Sequence, residues 1–98
     1  MKRIKDNEIR LDSLHTIIDN LDKQLDIFEN NINEYYKLNK YYGSKNWFKD
    51  KENFEKGIIK NIKAGVLTED AVWDLDEKTR ELINRMDNIV KRFNDNKK

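Results

Sequence analysis

The sequence contains no cysteine. That excludes disulfides, thiol nucleophiles and thiolate metal sites. It contains no proline and only three glycines, so nothing interrupts a helix except at Gly43, Gly57 and Gly65. No apolar run is long enough to span a bilayer, and the opening M-K-R-I-K-D-N lacks the apolar stretch of a secretory signal. A cytoplasmic protein with no membrane role is therefore expected. There is no Gly-rich phosphate loop, no dinucleotide fingerprint and no serine or cysteine nucleophile constellation. Catalysis also needs a pocket that excludes water, and a thin helical chain rarely supplies one. The chain reads as a non-enzyme without a cofactor.

What is present is charge. Of 98 residues, 40% are charged and 37% apolar, which fits one domain, 1–98, with a thin core. Such polarity can mean disorder, but the apolar residues are strongly periodic, and that argues for helices with a narrow seam. The net charge of +1 is uneven. Residues 1–36 carry five basic and eight acidic side chains; residues 37–63 carry eight lysines against Asp50, Glu52 and Glu55; residues 64–98 carry seven basic and eight acidic. The middle is basic and both flanks are mildly acidic.

Two seams organise the chain. Ile4, Leu11, Ile18, Leu25 and Ile32 stand at heptad a positions, with Asn39 next. Asn7, Leu14, Leu21, Phe28, Tyr35 and Tyr42 stand at d. This alternation of three and four is a coiled-coil signal, and it predicts a helix over 1–42, roughly 60 Å long. A rod of that length cannot fold around its own core. The second seam, Val72, Leu75, Thr79, Leu82, Met86, Ile89 and Phe93, predicts a helix over 68–94. Thr68 reads as its N-cap, Glu69 and Asp70 as first-turn carboxylates, and Leu67 and Val72 as a hydrophobic staple. Residues 95–98 read as a tail. The expected architecture is all-α: a long N-terminal helix paired antiparallel with the C-terminal one, a coiled-coil-like hairpin with short helices capping the connection.

That connection, 43–67, opens with Y-Y-G-S-K-N-W-F. Gly43 reads as the glycine that ends the first helix. Ser44 reads as the N-cap of a short helix with Trp47, Lys51 and Phe54 on one face. Gly57 ends it, and Ile58, Ile59 and Ile62 make a further helical turn that Gly65 ends. The aromatics lie where the chain must reverse. Tyr42, Gly43, Trp47, Phe48, Phe54 and Trp73 are therefore expected to form a structural cap, with both tryptophans buried.

Two motifs add a resemblance. Tyr41, Tyr42, Gly43, Ser44 and Trp47 form one; Gly65, Val66, Leu67, Thr68, Glu69, Asp70, Ala71, Val72, Trp73, Asp74 and Leu75 form the other. Together they resemble a bacterial family designated domain of unknown function 4298, whose members are mostly from Firmicutes. The resemblance covers essentially the whole chain, with a departure at Glu55–Ile59, where a more polar stretch is usual. It implies a charged heptad helix followed by this motif, and it implies no activity. The lysine- and asparagine-rich composition fits a low-GC genome.

Few residues suggest chemistry. His15, the only histidine, lies between Asp12 and Asp19 at helical spacing. That set could hold a metal or move a proton, but a lone histidine on a helix flank is more often solvated. Glu69, Asp70, Asp74, Asp76 and Glu77 could bind a cation, yet first-turn carboxylates are ordinary at a helix start and no calcium-type loop is present. No metal site is assigned. The reading that fits most features is a protein–protein interaction module, an adaptor or an inhibitor of a partner protein. Ile4, Leu11 and Leu14 are the candidate surface for a protein partner or a homodimer. The alternative is association with nucleic acid through Lys37, Lys40, Lys45, Lys49, Lys60 and Lys63, interleaved with aromatics that can stack on bases. Against it stand the absence of arginine in that segment and the modest net charge.

Overall fold

The computed structural model describes residues 1–96. It is all-α, with a long N-terminal helix, short connecting elements and a C-terminal helix, as the seams predict. Helix α1 spans Lys2–Tyr41, α2 spans Lys45–Glu55, a 3-10 turn spans Gly65–Leu67, and α3 spans Ala71–Asp95. No strand occurs among the described residues. Of the expected tail, Lys97 and Lys98 lie outside them. The contacts gather into two compact units, residues 1–36 and 37–98.

The first unit is one helix. The lack of glycine and proline lets it run unbroken. A single helix has no second layer on which to bury its apolar stripe, and α1 contains no buried residue. Leu21 and Leu25 of its seam are 50% and 36% exposed.

The second unit is built around two turns. The chain leaves α1 through Gly43, whose φ of +77° suits glycine alone at little cost. Ser44 then caps α2: its hydroxyl accepts a hydrogen bond from the Trp47 amide at 3.2 Å. This is the N-cap that the sequence predicts. Gly57, at φ +76°, ends α2, and its amide reaches the Phe54 carbonyl at 3.1 Å.

The expected helical turn at Ile58, Ile59 and Ile62 does not form. Residues 57–62 form turn, bend and irregular backbone, and Asn61 takes a left-handed φ of 64°. One apolar turn between two glycines is too short to nucleate a helix. Gly65, expected to end that turn, instead begins the 3-10 turn. The C-terminal helix also starts later than predicted, at Ala71. Thr68 is drawn into the preceding turn, its hydroxyl donating to the Gly65 carbonyl at 2.7 Å. It still accepts the Ala71 amide at 3.4 Å, a long capping contact. Glu69 and Asp70 therefore precede the first turn of α3, and Asp74 is the acidic residue within it.

Candidate functional site

The buried apolar side chains of the described residues are Trp47, Leu67 and Val72. Each comes from a different element: α2, the 3-10 turn and the start of α3. Trp47 is 3% exposed. Its indole N–H donates to the Val66 carbonyl at 2.9 Å, so the one polar atom of the ring is satisfied. Tyr42 meets the indole edge-on at 5.1 Å between centroids, and the neighbouring Phe48 does so at 4.9 Å. The Lys51 ammonium lies 5.2 Å from the indole centroid, within cation–π range.

Polar bonds fasten this knot from the outside. The Tyr42 hydroxyl donates to the Glu69 carbonyl at 2.7 Å. Lys51 pairs with the Glu69 carboxylate at 3.1 Å. The Asn39 amide donates to Asp76 at 3.3 Å, and Arg80 pairs with the same carboxylate at 2.9 Å. The Tyr41 hydroxyl donates to Asp50 at 2.6 Å. That hydrogen bond, with desolvation and the negative charge of Asp50, pushes the Tyr41 phenol up from 10.0 to about 12. The pair ties the end of α1 to α2.

The expected cap is thus partly assembled. Tyr42, Trp47 and Phe48 stack around the reversal at Gly43, although Phe48 remains exposed, as does Phe54. Trp73 is the correction: it is 62% exposed. Val72, one residue earlier, takes the buried place. Successive residues on a helix point about 100° apart, so the burial of Val72 turns Trp73 outward. Trp73, with Asn39, Tyr42, Val72, Asp76 and Arg80, lines a shallow open groove.

The Val66 carbonyl as partner of the indole and Asp50 as partner of Tyr41 leave no mark in the sequence. No residue type signals a backbone acceptor, and Tyr41 and Asp50 share no helical spacing. The spacing of Leu67 and Val72 did carry a signal, as the staple pair.

The remaining candidates are surface residues. Ile4, Leu11 and Leu14 are exposed, together with Ile18, Leu21 and Leu25 of the same seam. On α3, Leu75, Leu82, Ile83, Ile89, Val90 and Phe93 are exposed. Lys37, Lys40, Lys45, Lys49, Lys60 and Lys63 are all exposed. Among the described residues no three of His, Cys, Asp or Glu converge as a metal site; this covers the sets around His15 and at Glu69–Glu77. Nor is any helix among them long and apolar enough to cross a membrane.

These features define a small helical protein whose buried centre is a tryptophan knot and whose longest apolar stripes lie on the surface. The chain belongs to the family described as domain of unknown function DUF4298, which matches residues 4–89. No curated protein and no solved structure matches it.

Proposed function

We propose that the protein is a non-catalytic helical module that binds another protein chain through the heptad seam of α1. The observation that carries this reading is the exposure of six apolar seam residues. From Ile4 to Leu25 they are 36–60% exposed. Burying one such side chain is worth about 1.5–3 kcal/mol, so a chain that covers Ile4, Leu11 and Leu14 gains appreciably. A partner helix laid along an apolar stripe of this spacing is a recurring mode of recognition. The role is that of an adaptor or of an inhibitor of its partner. A cytoplasmic, bacterial setting is part of the proposal, supported by the family resemblance and by the lysine- and asparagine-rich composition.

The test is affinity capture from host cells with the intact chain and with Leu11→Asp/Leu14→Asp, read by mass spectrometry. Proteins held by the wild type and lost by the variant support the reading. Identical captures, with the variant as helical as the wild type, sink it.

A second reading is association with nucleic acid through the exposed lysines of 37–63. Exposed Trp73 and Phe48 favour it, since each offers a face for base stacking. Burial of Trp47 weighs against it, because the central aromatic of the basic segment is withdrawn. Fluorescence anisotropy with a labelled single strand separates the two readings. Salt-sensitive binding that Lys45→Glu/Lys49→Glu abolishes would favour nucleic acid.

A further inference from the structure

Resting on the interaction-module reading, we infer that the occupant of the α1 seam is a second copy of this chain, aligned parallel and in register. Charge on either side of the seam selects this occupant and this alignment. With a positions at Ile4, Leu11, Ile18 and Leu25, the e positions are Glu8, His15, Asp22 and Glu29. The g positions are Arg3, Arg10, Ile17, Gln24 and Asn31. One flank therefore carries carboxylates and no lysine or arginine, and the other carries arginine and no carboxylate.

In a parallel pair each g residue faces the e residue five places on in the other helix. Arg3 then meets Glu8 of the second copy, and by symmetry Glu8 meets Arg3. Gln24 meets Glu29, to which its amide can donate. Arg10 opposite His15 and Ile17 opposite Asp22 choose neither orientation. In an antiparallel pair e faces e and g faces g. The antiparallel alignment that sets Ile4 against Phe28 and Leu25 against Asn7 places Glu8 beside Asp22, twice over, and the alignment one heptad along places Glu8 beside Glu29. Like charges so placed oppose that arrangement. Among the described residues neither the Arg3 guanidinium nor the Glu8 carboxylate has a side-chain partner within the chain.

The seam residues agree. Isoleucine at a with leucine at d favours two parallel strands, and here Ile4, Ile18 and Ile32 hold three of the five apolar a positions, Leu11 and Leu25 the other two, with Leu14 and Leu21 at d. A single buried asparagine sets register in such pairs. Asn7 occupies a d position, and its amide now bonds the Arg3 carbonyl at 2.8 Å and Arg10 at 3.2 Å, on the surface. In register, Asn7 meets Asn7; a slip of one heptad sets it against leucine.

The absence of native cysteine makes the test clean. Ile4→Cys and Leu25→Cys lie three heptads apart, about 31 Å along the helix. In the full-length chain under mild oxidation, each single variant is expected to form a disulfide-linked dimer by itself, and a mixture is expected to give no 4–25 cross-link. A cross-link that forms only in the mixture overturns the parallel alignment and leaves the module reading standing. Absence of any cross-link, with the wild type monomeric by light scattering, overturns self-pairing; the module reading is then judged by the capture experiment alone. Charge exchange gives an independent measurement. Arg3→Glu and Glu8→Arg should each weaken dimerisation roughly tenfold, and Arg3→Glu/Glu8→Arg should restore it. These residues are five apart and do not face each other on one helix, so rescue reports a contact between copies. Failure of rescue, with helicity unchanged, would overturn the assigned pairing.

Discussion

Trp47→Ala should cost residues 37–98 most of their stability. The indole is almost wholly buried, and Tyr42, Phe48 and Lys51 all pack on it. Large-to-small substitution of a packed tryptophan costs about 3–5 kcal/mol. The Val66 carbonyl also loses its donor, the indole N–H at 2.9 Å. A part-buried acceptor left unsatisfied costs up to about 1–3 kcal/mol. Small domains are stable by little more than these sums. At about 4–8 °C per kcal/mol for a unit of this size, the midpoint should fall by more than about 10 °C, or the transition should vanish. Thermal unfolding by circular dichroism reads this, and a Trp73→Phe background makes Trp47 the sole fluorescent indole. Trp47→Phe is the finer probe. It keeps an aromatic ring and removes the N–H, and it should fall between the wild type and Trp47→Ala. A Trp47→Ala protein that melts within about 2 °C of the wild type would refute the knot as the centre of this unit.

Trp73→Ala should change stability by less than about 1 kcal/mol, since surface substitutions rarely do more; acrylamide should quench Trp73 freely and leave Trp47 protected. One tyrosine, Tyr41, should ionise late, at about 12, in a spectrophotometric alkaline titration, and Asp50→Asn should bring it down towards its ordinary value of 10.0. The sign follows from linkage: the folded state holds the Tyr41 proton more tightly than the unfolded one. Its contribution is therefore whole below about pH 10 and is lost as pH rises through about 12. Gly43→Ala should cost about 1 kcal/mol through its φ of +77°, not through a clash, because an added Cβ meets nothing within 4 Å; chemical denaturation would measure this.

Much of the local structure was legible because single residue types carry it. Gly43 ends α1 where the φ must be positive, and Ser44 caps α2 with the predicted hydroxyl. The three–four spacing placed both long helices to within a few residues. What failed depended on competition between neighbours. The Thr68 hydroxyl is shared: it donates to the Gly65 carbonyl of the 3-10 turn and accepts the Ala71 amide only at 3.4 Å, and regular α3 begins at Ala71. Ile58, Ile59 and Ile62 look helical by spacing, yet two flanking glycines leave them too short to nucleate. Trp73 was expected inside because it is large and lies off its own seam. Only the tertiary choice of Val72 for the buried place decides that Trp73 faces out. The cap residues Tyr42 and Trp47 could be read from their crowding at the reversal, but the acceptors of their hydrogen bonds are backbone carbonyls, which no pattern of side chains announces.

The central claim is that the exposed seam of α1 is a binding surface. Its most direct measurement is the mass of the intact protein in solution by light scattering across a range of concentrations, for the wild type and for Leu11→Asp/Leu14→Asp. A wild type that reaches twice the chain mass of 11.9 kDa, and a variant that stays at the single-chain mass with its helicity retained, is the predicted result. A wild type that remains at the single-chain mass at every concentration, and captures no protein that the variant fails to capture, would contradict it.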